Sequence, residues 1–276
     1  MPVPAPSTVQ SMLFVPGSRP ERLDKALAAG ADSVCIDLED AVPADGKDAA
    51  RANALAAIGR PGVAIRINGV ATRAGLADLL ALAEAPARPA HLYVPMVESA
   101  AELKIIRAVL GDDSVGLIPL IETVEGLDNA AAIAADPSVV MMMFGGGDFS
   151  AQLGTALEWE PLLLARQRLI MACAAANKPA MDVPYIKLDD AEGLVEETRR
   201  AKAIGFSAKA AIHPAQLDGI HHVFRPTLAQ VAEAEEALAA FAAAGGAAVR
   251  FNGRMLEAPF IRRYQQILAM KDKAHA

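Results

Sequence analysis

Short apolar runs of strand length alternate along the chain with longer segments whose apolar residues recur at helical spacing. The runs are Met12 to Val15, Ser33 to Leu38, Val63 to Ile67, Leu92 to Val97, Val115 to Ile121, Val139 to Phe144, Pro179 to Val183 and Ala208 to Ile212. Most are apolar at successive positions, as strands covered on both faces are. Between them the spacing predicts helices over Pro20 to Ala29, Lys47 to Ile58, Ala74 to Ala85, Ala100 to Leu110, Gly126 to Ala135, Pro161 to Ala176 and Ala191 to Ile204. Ser99 followed by Glu102 reads as a capping box, and Gly30, Gly111 and Gly205 stand where helices end on a left-handed residue.

Strands alternating with helices predict an α/β fold of parallel strands joined by crossovers, and eight strands match a closed (β/α)8 TIM barrel. An open doubly wound sheet is the alternative, since alternation does not prove closure. Polar residues after many strands, rather than at one switch point, favour the barrel. After the last strand, Thr227 to Ala244 and Ala258 to Lys271 read as further helices. The expected organisation is a catalytic barrel over residues 1–225 and a C-terminal helical extension or lid over 226–276, with a neighbouring subunit as one surface it could pack on.

Three of the runs end in carboxylates: Asp37, Glu39 and Asp40 after the second, Glu122 after the fifth, and Asp148 after the sixth. Arg66 takes the corresponding place in the third. In a barrel, strand ends converge on one face. That gathers Arg19, Asp37, Glu39, Asp40, Arg66, Glu98, Glu122, Asp148, Asp182 and His213 around one mouth, some of them in structural roles. Asp37 and Glu39 alternate across the pleat onto one face, while Asp40 reads as a helix cap. Glu122 and Asp148 are the metal-ligand candidates, since hard oxygens from adjacent strands suit Mg2+ completed by water and substrate; strand-end acids also cap helices. Gly145-Gly146-Gly147 is either a tight turn or a set of bare amides that holds a carboxylate. Arg66 either bridges Asp37 or Glu39 or offers a planar fork to a substrate carboxylate. The fork is expected if metal holds the acids. His213 reads as a hydrogen-bonded strand-end histidine, and Arg199, Arg200 and Lys202 opposite Glu196 and Glu197 as a solvated helix face.

The 276 residues carry a formal net charge of -7, which argues against nucleic acid as a partner and requires a local cation for any anionic substrate. Two cysteines in apolar surroundings give neither a disulfide framework nor a thiolate metal site. The first eight residues lack signal-peptide features and no apolar run spans a membrane, so a cytoplasmic protein without membrane association is expected.

Leu13-Phe-Val-Pro-Gly17, Asp37-Leu-Glu-Asp-Ala-Val42, Arg66-Ile-Asn68, Ile121-Glu-Thr123, Phe144-Gly-Gly-Gly-Asp148 and Ile212-His-Pro-Ala-Gln216, in this order, resemble the HpcH/HpaI aldolase and citrate lyase β-subunit family. The resemblance implies a (β/α)8 barrel, a Mg2+ cofactor, a homo-oligomer with a trimer favoured, and reversible carbon-carbon cleavage of citryl-, malyl- or citramalyl-type thioesters. It implies Mg2+ on Glu122 and Asp148 and the carboxylate of a 2-oxo acid on Arg66. Asp37 with Glu39 or Asp40 would order metal-bound water, Gly146 and Gly147 would face substrate, and Arg19 would lie near the tail of an acyl-CoA or acyl-carrier thioester. Glu257, in Gly253-Arg-Met-Leu-Glu257-Ala-Pro259, would be a lid acid acting across a subunit interface. Three positions depart from the family pattern: Met96 where many relatives have lysine, Gln10 where arginine often precedes the serine, and Glu257 where aspartate is usual. A citryl-CoA or citramalyl-CoA lyase is the leading expectation. A malyl-CoA lyase or thioesterase, an aldolase of free hydroxy-oxo acids, and a non-catalytic accessory subunit are the alternatives.

Overall fold

The structure, a computed structural model, describes residues 9–275. Residues 1–8, read above as lacking a leader, and residue 276 lie outside the described residues. Eight strands form a closed parallel barrel in sequence order: β1 (Ser11–Pro16), β2 (Ser33–Asp37), β3 (Val63–Arg66), β4 (His91–Val94), β5 (Gly116–Ile121), β6 (Met142–Phe144), β7 (Ala180–Asp182) and β8 (Ala208–Ala211). Closure is made by β8 pairing with β1, with Ser11 opposite Lys209 and Leu13 opposite Ala211. That pairing rules out the open sheet.

Strand parity decides what each side chain can do. Met12, Cys35, Ala64, Tyr93, Ile118, Leu120, Met143, Met181, Ala208 and Ala210 fill the barrel interior as one buried cluster. Their neighbours Leu13, Ile36, Ile65, Ile121, Phe144 and Ala211 belong to the larger core between barrel and helices. Two residues beyond Cys35, Ala64 and Leu120 stand Asp37, Arg66 and Glu122, so all three continue the inward-facing series at the C-terminal mouth. Asp182 follows the inward Met181 and therefore turns toward the helices.

The helix at Ala100–Leu110 has the expected Ser99–Glu102 capping box and ends on Gly111 at φ 61°. Elsewhere local chemistry trims the expectations. The first predicted helix is a 3-10 turn, Pro20–Arg22, followed by Leu23–Ala28, and the predicted Gly126–Ala135 helix divides at Asn129 into Val124–Asp128 and Ala130–Ala134. Helices at Gly146–Leu153 and Leu217–Phe224 were not predicted. Gly145-Gly146-Gly147 disguises the start of the first, because glycine is a poor helix former.

Beyond the barrel, helices Leu228–Ala243 and Ala258–Leu268 pack together and enclose a hairpin of β9 (Val249–Phe251) and β10 (Arg254–Leu256). Asn252 and Gly253 turn it with φ of 46° and 76°, the left-handed pair a two-residue hairpin requires. Ala237, Leu256 and Ile261, with Phe241 and Tyr264, form a small apolar cluster apart from the barrel cores. The chain then returns to the N-terminal floor of the barrel, where Lys273 Nζ lies 2.6 Å from Asp32 Oδ1 and Gln10 Nε2 donates to Met270 Sδ at 2.9 Å. Among the described residues no helix is long and apolar enough to cross a membrane.

Candidate active site

At the mouth, Asp37 and Arg66 face one another in adjacent strands, paired in register. Arg66 Nε and Nη2 each donate to one carboxylate oxygen of Asp37 at 2.7 Å, and Nη1 lies 2.7 Å from Glu39 Oε2 and 3.3 Å from Asp40 Oδ2. The guanidinium stands 4.9 Å above the Phe14 ring. Of the two readings left open for Arg66, this is the salt bridge: its bidentate edge is filled by Asp37. Asp37 also accepts from the Glu39 and Ala41 amides at 2.9 and 3.1 Å, while Lys47 Nζ holds the Leu38 and Glu39 carbonyls at 2.8 and 2.7 Å. Asp40 caps no helix and is exposed.

Glu122 is 4% exposed, and its Oε2 accepts from the Met96 amide at 2.8 Å. Met96 reaches that position in a left-handed conformation, φ 54°, uncommon for a residue with a side chain. On the other side Gly145 leaves room for the carboxylate: a Cβ there would stand 2.1 Å from Glu122 Cγ and 2.4 Å from Oε1. Asp148, on the first turn of the Gly146–Leu153 helix, is exposed.

These acids outnumber the cation they surround. Burial pushes the Glu122 carboxyl up to about 7; the Met96 amide and Arg66 pull it down, while Asp148 and Asp40 add to the rise. Burial likewise pushes Glu39 up to about 8 despite Arg66, with Glu122, Asp40 and Asp37 adding to the effect. Asp148 is raised too, by burial and then by Asp40. Burial would lower Arg66, but hydrogen bonding and charge from Asp37 hold it above its ordinary value. Glu39 Oε2, though close to Arg66, has no hydrogen-bond donor in good geometry.

Buried oxygens short of positive charge, a carboxylate socket shaped by Gly145, and an oxygen-only donor set all fit a hard divalent cation. Among the described residues no group of three or more His, Cys, Asp or Glu is placed to hold a metal ion by itself. A site built on Glu122 and Asp148 would leave most coordination positions to water and ligand, as Mg2+ prefers.

The other expected residues are dispersed. Arg19 is exposed on the rim, with Glu21 at 3.7 Å. Gly147 has open space around its Cα, whereas Gly146 packs against Leu157, Phe144 and Val183. Glu98 is partly buried, and its carbonyl accepts from Asn129. His213 is exposed, and its Nδ1 accepts from the Ala215 amide at 3.2 Å. Asp182 leaves the mouth altogether, 0% exposed, between Arg166 and Lys209. Glu257 is exposed at the start of the Ala258–Leu268 helix, with no side-chain capping bond. Sequence reasoning gave no role to Phe14, Lys47 or the Met96 amide, although Phe14 stands in the Leu13-Phe-Val-Pro-Gly17 motif and Met96 is one of the three departures; Gly145 belongs to the glycine triplet already singled out.

A family model, the HpcH/HpaI aldolase/citrate lyase family, matches residues 10–214, the span from the first strand to the Ile212-His213-Pro214 corner. The chain belongs to this family. Its relatives in the HpcH/HpaI aldolase/citrate lyase family include a (3S)-malyl-CoA thioesterase of Cereibacter sphaeroides, 35% identical over 272 residues that cover 94% of this chain and 93% of the relative. The mitochondrial citramalyl-CoA lyase of Rattus norvegicus is 30% identical over 288 residues, covering 95% of this chain and 85% of the relative. In structure the chain is similar to CitE from Mycobacterium tuberculosis in complex with magnesium, acetoacetate and coenzyme A, with a TM-score of 0.83 and 33% identity over 96% of this chain and 99% of that one.

The Gly145 socket yields a prediction. Gly145→Ala is expected to weaken Mg2+ binding by about 10-fold or more, because the new methyl must displace the Glu122 carboxylate. Calorimetric Mg2+ titration checks it, and unchanged affinity would show that the socket does not constrain a ligand.

Proposed function

We propose that this chain is a Mg2+-dependent carbon-carbon lyase that cleaves a 3-hydroxyacyl thioester of the citryl-CoA or citramalyl-CoA type into an acyl thioester and a 2-oxo acid. The observation that carries the reading is Glu122: an inward-facing, buried carboxylate seated in the space left by Gly145, while Arg66, the neighbouring cation, is committed to Asp37. The CitE neighbour with magnesium, acetoacetate and coenzyme A, and the citramalyl-CoA lyase relative, support the cofactor and substrate class.

Glu122 and Asp148 would hold the Mg2+, which would supply Lewis-acid charge at the hydroxyl and carboxylate that become the 2-oxo acid. Asp37 fixes the plane of Arg66, whose Nη1 edge, shared with the exposed Asp40 and with Glu39, is where a substrate carboxylate exchanges for a protein one. Glu39 and Asp40 orient water at the same edge, and the uncovered Gly147 backbone lets substrate approach. In cleavage the hydroxyl proton departs, the bond from the carbinol carbon to the thioester α carbon breaks, and the α carbon takes up a proton. Glu257 is the proposed proton carrier, brought to the mouth of a neighbouring copy in a homo-oligomer, with a trimer as the expected assembly. Arg19 lies on the rim where a coenzyme A or carrier-protein tail would leave.

A thioesterase is the second reading, favoured by the malyl-CoA thioesterase relative. Mass spectrometry of the products from citramalyl-, citryl- and malyl-CoA separates the two. Lyase action gives an acyl-CoA two or more carbons shorter plus a 2-oxo acid in equal amounts; free CoA with an intact hydroxy acid would replace the lyase reading by the thioesterase.

A further inference from the structure

Behind the mouth, in the layer between barrel and helices, lies a charged side chain that the proposed chemistry does not use. Arg166, on the Trp159–Ala175 helix, is 1% exposed. Its Nε donates to Asp182 Oδ1 at 2.8 Å, and its guanidinium is held between two rings, 5.1 Å from the centroid of Phe144 and 4.7 Å from that of Trp159. Lys209 Nζ donates to Asp182 Oδ2 at 2.7 Å and to Glu197 Oε1 at 2.8 Å, so Arg166 is the second cation that balances the two carboxylates. Charge balance alone would be met as well by a second lysine, and buried ion pairs add little net stability over apolar packing. What arginine offers and lysine does not is a flat face for ring stacking.

The ring it stacks on is the last residue of β6, immediately before Gly145-Gly146-Gly147-Asp148. Phe144 and Phe149 bracket that turn with centroids 5.5 Å apart. The Phe144 ring, Val183 and Leu157 crowd the Gly146 Cα so closely that an added Cβ would meet them at 3.2, 3.2 and 3.0 Å. The preceding residue, Gly145, abuts Glu122. The Phe144 ring thus lies against the turn that carries Asp148, and Gly145 of that turn lies against Glu122.

Resting on the divalent-cation reading of the mouth, we infer that Arg166 is a positioning residue: clamped on Asp182, it pins the Phe144 ring and so sets the Gly145–Asp148 turn against Glu122. It touches neither substrate nor cation. Its effect should reach the mouth as cation affinity, the way outer residues tune metal ligands.

The test is calorimetric titration of Mg2+ into the full-length wild type, Arg166→Lys, Phe144→Leu and the double variant, with thermal unfolding in EDTA recorded for each. Arg166→Lys keeps the charge on Asp182 and removes the flat face; Phe144→Leu keeps apolar volume and removes the ring, and it carries the test alone if Arg166→Lys does not fold. Each single variant is expected to raise the Mg2+ Kd by about 10-fold, and the double variant by no more than the larger single effect, because both act through one contact. Arg200→Gln, on the outer face of Trp159, should leave the Kd unchanged. Folded variants with Kd within twofold of the wild type, or effects that simply multiply in the double variant, would overturn the inference while leaving the lyase reading intact. A wild type that binds no Mg2+ overturns both.

Discussion

Glu122→Gln should lose Mg2+-dependent turnover by on the order of 10³-fold or more, several kcal/mol of transition-state stabilisation. The substitution is nearly isosteric, and the amide oxygen can still accept from the Met96 N–H that now reaches Oε2 at 2.8 Å. What disappears is the negative charge. That charge is held in the chain at a cost, since burial pushes the carboxyl up to about 7 in the absence of a cation. In EDTA the variant should therefore unfold no earlier than the wild type, while its Mg2+ titration falls silent. Lost activity with undiminished stability separates a ligand from a structural acid. If the variant instead keeps its turnover, or loses it only by unfolding, Glu122 is not the cation ligand.

The second large effect lies in the layer behind the mouth. Asp182→Ala is expected to destabilise the protein by about 3–5 kcal/mol, because it leaves Arg166, 1% exposed, without its carboxylate and Lys209, 0% exposed, with Glu197 as its one remaining carboxylate. For a chain of this size that corresponds to a fall of roughly 10 °C in the unfolding midpoint. Burial alone would raise the Asp182 pKa, but Lys209 and Arg166 hold it below its ordinary value. A carboxyl depressed by folding contributes stability above its unfolded pKa and loses it as the pH falls through the folded one. The gap between wild type and variant should thus be full at neutral pH and close only in acid, below about pH 4. Urea unfolding at pH 7 and at pH 3 measures it; a difference under about 1 kcal/mol at pH 7 would mean that water or rearrangement satisfies the two cations.

Much of this was legible in the sequence because parallel barrel strands are buried on both faces and so advertise themselves as unbroken apolar runs. The same property hides parity. Asp37, Glu122 and Asp182 look alike in sequence, each an acid closing an apolar run, yet the first two continue inward-facing series and the third follows Met181 outward. In a strand of three residues, Ala180–Asp182, no alternation is available to show which way the acid turns. The Arg66 alternatives were undecidable for a related reason: whether Asp37 stands opposite depends on register between two strands, which parallel pairing sets through tertiary packing. Glu197 read as part of a solvated helix face because nothing local reveals that Lys209, one strand away, is buried against it. Met96 is the extreme case, since its contribution is a backbone amide aimed by an unusual φ that its side chain does not encode. The glycine triplet was conspicuous, but its use as the start of a helix and as space for Glu122 appears only once β5 and β6 are side by side.

The lyase reading stands or falls on one assay: 2-oxo acid release from citramalyl-CoA and citryl-CoA by the purified protein with Mg2+, after chelation by EDTA, and after Mg2+ is restored in excess. The predicted result is release matched by acyl-CoA formation, abolished by EDTA and recovered with Mg2+. Release that continues undiminished in EDTA would contradict a cation held by Glu122 and Asp148, and no release from either thioester under any of the three conditions would contradict the proposed cleavage itself.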